Sequence, residues 1–190
     1  MEDLYGLFDF YAANDMRARP VLELCDPVSD WSLLAGYAAR VGLAVSAELA
    51  ATMARIVAEA SAPHACAAAA ICNGDLTFSN MILGNGYVVL IDWEYATAAP
   101  VFFDAVRLTA QLPDFADQFL TVFNDSAIAH QPGMLNGRTQ FLVACDMAAQ
   151  QRIARVADFE FAGDRTAYDR RLQGRIAKIL ALMERLCLAG

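Results

Sequence analysis

The sequence predicts a single, mainly α domain that carries a small β-hairpin. Three observations support this fold class: helical spacing of apolar residues in both flanks, strand and hairpin patterning in one central stretch, and cap residues that divide the flanks into helices. Apolar residues make up 57% of the 190 residues and charged residues 19%. This composition can bury a core and differs from that of a disordered tail.

Residues 1–63 are predicted to form a helical lead-in. Asp30 is the predicted N-cap of a helix that Gly42 ends, and Ser46 is the predicted N-cap of a helix that ends before Pro63. The opening helix would present one apolar face, formed by Leu4, Leu7, Phe8 and Tyr11.

Residues 64–108 form the central stretch, where strands are predicted. The apolar run 67–72 indicates a short buried strand. Residues 81–83 and 87–91 are predicted to pair around Asn85-Gly86, a dipeptide typical of tight hairpin turns. This hairpin would bring the residue after its second strand back beside the residue before its first.

Residues 109–190 are predicted to be a helical body. After a helix near 101–111, further helices are expected near 114–123, 138–156 and 165–187, separated by proline and glycine breaks. The last helix is amphipathic and is expected to expose Arg165, Arg170, Arg171 and Arg175 while burying Leu172, Ile176, Ile179, Leu180 and Met183.

Three polar residues of the central stretch are candidates for chemistry. Asp75 lies at a turn that Gly74 permits, and a carboxylate there can accept the proton of an incoming hydroxyl group. Asn80 and Asp92 offer an amide oxygen and a carboxylate, the hard ligands that Mg²⁺ prefers. The competing interpretation is that each residue only caps a turn, since Asp and Asn are common turn formers. Their joint spacing favours half of a phosphoryl-transfer site.

At these residues the chain resembles the aminoglycoside phosphotransferase and choline kinase family, whose fold is that of the protein kinases. The family pattern is His, any residue and Asp, then Asn five positions later, then Ile-Asp and an aromatic residue. Residues 73–75, Asn80 and residues 91–93 match it, except that Asn73 replaces the histidine. The resemblance implies a protein-kinase-like C-terminal lobe, with Asp75 as catalytic base and Asn80 and Asp92 as metal ligands.

The same resemblance assigns supporting roles to other residues. Asp104 matches the aspartate that opens a helix and supports the catalytic loop, and Asn73 is interpreted as a second structural support. Glu94 is a candidate for a metal or substrate contact. It lies between Trp93 and Tyr95, an aromatic pair that could hold an ammonium group, although core packing is favoured for Trp93.

The resemblance implies Mg²⁺-dependent transfer of the ATP γ-phosphate to a hydroxyl group of an amino alcohol or aminoglycoside. Complete kinases also need a glycine-rich loop and a strand lysine. Lys178 is the only lysine of the chain, and no glycine-rich loop pattern precedes Asp75. The N-terminal nucleotide-clamping lobe is therefore expected to be absent, either truncated or supplied by another protein. Two hypotheses follow: a small-molecule kinase, or a noncatalytic truncated or pseudokinase domain that acts as a binding module.

Charge and cysteine content narrow the partners and the compartment. The net charge of −8 disfavours nucleic acid and membrane surfaces and suits a small cationic hydroxylated substrate, and the alternative is that it serves solubility alone. Five cysteines without C-x-x-C spacing and an acidic start without a long apolar run predict free thiols in a cytoplasmic protein. The uncovered edge of a lone lobe predicts a homodimer or a separate lobe-bearing partner.

Overall fold

Helices make up most of the chain in the computed structural model, which describes residues 10–83, 88–110, 112, 114–158 and 165–188. The helices and strands, in chain order, are β1 (Arg17–Pro20), α1 (Pro27–Val41), α2 (Ala47–Ala60), β2 (Cys66–Cys72), β3 (Met81–Leu83), β4 (Val88–Leu90), β5 (Thr97–Pro100), α3 (Phe102–Thr109), α4 (Phe115–Asn124), α5 (Gly137–Asp158) and α6 (Arg165–Leu188). The predicted class, mainly α with a small β component, is confirmed. The protein-kinase-like lobe stays a prediction.

The N-terminal helices begin and end at cap residues, one of which differs from the prediction. Helix α1 is capped by Asp26, whose Oδ1 accepts hydrogen bonds from the backbone N–H of Val28 and Ser29 at 3.2 and 3.3 Å. The prediction that Asp30 is the N-cap is wrong, because Pro27 starts the helix one turn earlier. Gly42 ends this helix at a φ of 72°, as predicted.

The second cap prediction is confirmed. Ser46 Oγ accepts a hydrogen bond from the backbone N–H of Leu49 at 3.0 Å and begins α2. The predicted opening helix falls mostly on residues 1–9, which lie outside the described residues, whereas residues 10–13 are helical. No strand lies between Val21 and Ala60, so this described part of the lead-in is helical as predicted.

A three-stranded antiparallel sheet, in the order β1-β2-β5, links the lead-in to the central stretch. The central strand β2 was predicted, but β1 and β5 were not. Both outer strands are four residues long and end in a proline, Pro20 and Pro100. Proline is tolerated at the edge of a sheet. These strands were not predicted because their short sequences have little β propensity.

The predicted hairpin strands are confirmed. Strands β3 and β4 pair antiparallel, with Met81 opposite Leu90. The predicted Asn85-Gly86 turn lies outside the described residues. Apolar side chains on this edge are exposed, among them Ile82, at 53%, and Val89, at 43%. Such exposure is what the predicted self-association or separate partner would cover, and both remain predictions.

Helix α5 is the centre of the helical body. Its side chains from Phe141 to Cys145 are all buried, so the helix is covered on every side. Helices α1, α2, α3 and α6 pack against it, and the ring of Phe102 in α3 stacks on that of Phe141 with centroids 4.9 Å apart. This packing fixes the position of α3, whose first turn faces the loop that follows β2.

Helix α6 has the two faces that the sequence predicts. Its arginines at positions 165, 170, 171 and 175 are exposed, and the five apolar residues predicted for the inner face are buried. All five cysteines are free thiols, with Cys72 and Cys145 fully buried. None of the helices in the described ranges combines the length and apolarity needed to cross a bilayer.

Candidate active site

The loop after β2 begins with a turn that only glycine accommodates well. Gly74 has a φ of 78°, and a Cβ atom at this position would overlap the carbonyl oxygen of Tyr95. The turn therefore presses the loop against the segment that follows the hairpin, and it directs the chain into Asp75.

Asp104 holds this loop from the first turn of α3. Its Oδ2 accepts a hydrogen bond from the backbone N–H of Asn73 at 2.7 Å, and its Oδ1 accepts one from Gly74 at 2.8 Å. The hydroxyl group of Tyr11 donates a third, at 2.5 Å, to Oδ2. Burial raises the pKa of Asp104 above its usual range, although all three hydrogen bonds lower it. This is the geometry that the role assigned by resemblance requires.

Asn73 joins the loop to the end of the hairpin. Its Nδ2 donates to the carbonyl oxygens of Ile91 and Asp92 at 3.1 and 3.0 Å, and its Oδ1 accepts from the backbone N–H of Asp75 at 3.2 Å. An amide therefore forms the cross-link at the position where the family pattern has an imidazole.

Asn80 completes the convergence of the candidate residues. Its side-chain Nδ2 donates to the backbone carbonyl oxygen of Asp75 at 2.9 Å. Its backbone carbonyl oxygen accepts from the backbone N–H of Ile91 at 3.0 Å. Asp75, Asn80 and Asp92 thus lie on segments that are hydrogen-bonded to one another, at the edge of the domain that carries the hairpin.

Asn80 and Asp92 fit a divalent metal ion by donor chemistry. Because Nδ2 of Asn80 is engaged, its Oδ1 is the atom left for a ligand, and in the described structure that oxygen accepts only a long hydrogen bond, 3.4 Å, from Ser79. Asp92 is exposed and adopts a φ of 60°. Within the described ranges no group of three or more His, Cys, Asp or Glu side chains could hold a metal. The pair suits Mg²⁺, which needs few protein ligands when substrate phosphates supply the others.

Comparison with known proteins agrees with this geometry. A sequence model of the phosphotransferase enzyme family matches residues 7–134, about two thirds of the chain. The chain belongs to this family. No curated protein and no solved structure matches it significantly. The match spans the loop, the hairpin and α3, and it ends before α5.

One contact of this phosphotransferase family member was not predicted. Arg107, in α3, forms an ion pair with the carboxylate of Asp75. The Oδ1 atom of Asp75 is buried, and the guanidinium group of Arg107 is its charge partner. The sequence held a signal for this contact, since Asp104 and Arg107 are three residues apart and lie on the same face of a helix.

Three further arginines act electrostatically on Arg107. Arg152 and Arg155 lie in α5 and Arg175 in α6; together with Arg107 they are called the arginine cluster. Burial and these three charges lower the pKa of Arg107 to about 9, and burial and its neighbours lower that of Arg152 to about 10. The guanidinium carbon of Arg155 lies 4.0 Å from the ring centroid of Tyr95.

The residues around Glu94 make mostly local contacts. Trp93 donates from Nε1 to the carbonyl oxygen of Leu90 at 2.9 Å and packs on Phe10, with ring centroids 5.9 Å apart. A hydrogen bond with the exposed Glu94 raises the pKa of Tyr95. Because Arg155 already lies over the Tyr95 ring, that face is occupied by a cation of the protein itself. The metal or substrate role of Glu94 stays a prediction.

Proposed function

We propose that this protein transfers the γ-phosphoryl group of ATP to a hydroxyl group of a small molecule, with Asp75 as the base. The convergence of Asp75, Asn80 and Asp92 on hydrogen-bonded segments is the observation that carries the proposal. Family membership supports phosphoryl transfer as the reaction class. The nucleotide, the metal and the acceptor are parts of the proposal.

The proposed reaction needs few protein groups. The acceptor oxygen forms a bond to the γ-phosphorus, the bond between that phosphorus and the ADP oxygen breaks, and the hydroxyl proton passes to the Asp75 carboxylate. Asn80 and Asp92 would hold Mg²⁺, which neutralises phosphate charge when bound. Asp104 and Asn73 act indirectly, because they position the backbone of the loop that carries Asp75.

The test is a transfer assay with radiolabelled ATP, Mg²⁺ and a panel of hydroxylated acceptors that includes choline, thiamine and an aminoglycoside. Because Lys178 is the only lysine, turnover is expected to be slow, so the chain is used in excess over ATP. Asp75→Asn should lower the transfer rate by about 100-fold or more. Asp125→Asn, which changes an exposed aspartate at the end of α4, is the matched control and should leave the rate unchanged. Equal rates for both variants would contradict the proposal.

A noncatalytic binding domain is the second candidate, favoured by the ion pair between Arg107 and Asp75. The guanidinium group of Arg107 occupies one oxygen of this carboxylate, which leaves the other oxygen alone for a hydroxyl group. Calorimetric titration separates the two candidates. Binding of Mg-ATP that weakens in Asp92→Asn, together with no transfer to any acceptor, would identify a binding module.

A further inference from the structure

We propose that Phe10 is a positioning residue for Asp92, and that it acts through the side chain of Trp93 to hold the carboxylate where a metal ion can bind. This inference rests on the proposed function, in which Asp92 is a metal ligand. It adds a residue from the N-terminal part of the chain to the support of the site.

The side chain of Trp93 is held at two points. Its Nε1 donates to the carbonyl oxygen of Leu90 at 2.9 Å, which closes a short loop around Ile91 and Asp92. The ring of Phe10 packs on the indole ring, with the centroids 5.9 Å apart and the planes inclined by 42°. Trp93 directly follows Asp92 in the chain, so a displacement of the indole ring moves the backbone that carries the carboxylate.

Phe10 is itself fixed by residues outside the hairpin. Asn14 donates to its carbonyl oxygen from the backbone N–H at 3.0 Å and from Nδ2 at 2.7 Å. The next residue, Tyr11, is buried, donates to Asp104, and contacts the ring of Phe10 edge-on, with centroids 5.7 Å apart. Asp104 also holds the loop that carries the candidate base, so one anchor serves both that loop and Phe10.

The backbone of Asp92 needs support because its conformation is unfavourable by itself. A residue with a Cβ atom at a φ of 60° persists where the surrounding contacts over-determine it. The carbonyl oxygen of Asp92 accepts a hydrogen bond from Asn73 at 3.0 Å, whereas its side chain is exposed. The contact of Phe10 with Trp93 adds a restraint on the residue that follows. Loss of that contact should let the backbone relax and move the carboxylate relative to Asn80, the other candidate ligand.

Binding of Mn²⁺, used as a substitute for Mg²⁺, tests the inference without any transfer reaction. Free Mn²⁺ is measured by electron paramagnetic resonance, with and without a nonhydrolysable ATP analogue and against protein-free references. The wild type should bind Mn²⁺, and Asp92→Asn should abolish that binding. Phe10→Leu should weaken it about tenfold, as expected for the loss of a residue that supports a ligand, whereas Phe10→Tyr keeps the ring and should restore it. Phe115→Leu changes a half-buried phenylalanine of α4 and is the matched control, which should bind Mn²⁺ like the wild type.

A double-mutant cycle tests whether Phe10 acts through Trp93. Trp93→Leu should weaken Mn²⁺ binding at least as much as Phe10→Leu. Because Phe10 depends on the indole ring for its effect, the double variant should bind no more weakly than Trp93→Leu alone. Losses that multiply fully in the double variant would show that Phe10 acts by another route, and the inference would be overturned.

A purely structural role for Phe10 predicts a different result. Phe10→Leu would then melt at a lower temperature and, below its melting transition, bind Mn²⁺ as tightly as the wild type, which would overturn the inference. Phe10→Met repeats the comparison with an unbranched side chain in case the leucine variant does not fold. Trp31→Phe leaves Trp93 as the only tryptophan, so its emission is a second readout. Paramagnetic Mn²⁺ should quench that emission, and Phe10→Leu should shift the midpoint to higher Mn²⁺ concentration.

The failure of this inference is distinguishable from that of the proposed function. Mn²⁺ binding that depends on Phe10, without transfer to any acceptor, would contradict the phosphotransferase activity and keep the inference. Mn²⁺ binding that requires Asp92 but not Phe10 would overturn the inference and keep the metal assignment. If no Mn²⁺ binding depends on Asp92, the metal assignment in the proposed function fails and the inference is overturned with it.

Discussion

Two buried aspartates, Asp104 in α3 and Asp146 in α5, show how differently the same side chain is accommodated in one core. Asp104 is 1% exposed and Asp146 is 2% exposed. Asp104 accepts three hydrogen bonds from Tyr11, Asn73 and Gly74. The Oδ1 atom of Asp146 finds no hydrogen-bond partner in the described part of the chain.

The difference shows that burial alone does not decide the charge state. Burial and the nearby carboxylate of Asp30 raise the pKa of Asp146 to about 8, so this group is mainly protonated at neutral pH. Asp104 has donors directed at both oxygens, which is the environment of a carboxylate that holds backbone N–H groups. The loop after β2 directs donors at the buried Asp104, whereas the helical body contains a buried acid, Asp146, that is uncompensated when ionised.

The largest effect should come from removing the acceptor at Asp104. In Asp104→Asn one of the oxygens becomes an amide nitrogen that faces a backbone donor, so the free energy of unfolding should fall by about 3 kcal/mol. Urea denaturation at pH 7 measures the change, with Asp125→Asn as the exposed control. A loss below about 1 kcal/mol would show that the loop does not depend on this carboxylate.

Replacing Asp146 should have a smaller effect, which depends on pH. Unlike the loss of Asp104, it should raise the free energy of unfolding at pH 8. Because the native pKa is about 8 and the usual value is 3.8, protonated Asp146 contributes stability that is present at low pH and lost as pH rises toward 8. The pKa of Asp30 is raised to about 6, so the interval from pH 6 to 8 belongs mainly to Asp146. The wild type should lose about 2 kcal/mol across it.

Asp146→Asn removes this titration and should flatten the curve from pH 6 to 8, making the variant the more stable protein at pH 8. Asp30→Asn is the matched comparison, and it should flatten the curve mainly below pH 6. Denaturation at a series of pH values measures both. A wild-type curve that stays level from pH 6 to 8 would mean that Asp146 is compensated by a group that the contacts above do not include.

The smallest effect is expected from Tyr11→Phe, which removes one of the three donors to Asp104 and keeps the aromatic packing. The free energy of unfolding should fall by about 1 kcal/mol, since the two backbone donors remain. A double-mutant cycle with Asp104→Asn sharpens the result. If Tyr11 acts through Asp104, the double variant should lose less stability than the sum of the losses in the two single variants. A loss equal to that sum would show that the two residues act independently.

The fold could be predicted where local chemistry decides it. Ser46 and Gly42 cap helices through contacts within a few residues, and the apolar face of α6 follows from its periodicity. The prediction of Asp30 as the N-cap was wrong because Asp26 lies four residues earlier and is followed by Pro27. An aspartate followed by a proline is the stronger signal for the start of a helix. Strands β1 and β5 were missed because their pairing with β2 depends on contacts distant in sequence.

The candidate site was predictable to a similar extent. The spacing of Asp75, Asn80 and Asp92 identified the residues that the loop and hairpin bring together, and the resemblance assigned Asp104 to the loop. The arginine cluster could not be predicted in the same way, because its members come from three helices. Periodicity correctly placed Arg175 on the exposed face of α6, but it did not indicate that this charge acts on Arg107 in another helix.

The backbone of Asp92 has a consequence for engineering. A residue with a Cβ atom at a φ of 60° is strained by about 1 kcal/mol or more relative to glycine, and asparagine tolerates this conformation better than most residues. A directed-evolution campaign that selects only for heat tolerance would therefore favour glycine or asparagine at this position. Either choice would remove the carboxylate that is proposed to bind the metal while the stability of the fold improved, so selection for stability at position 92 must be paired with selection for metal binding.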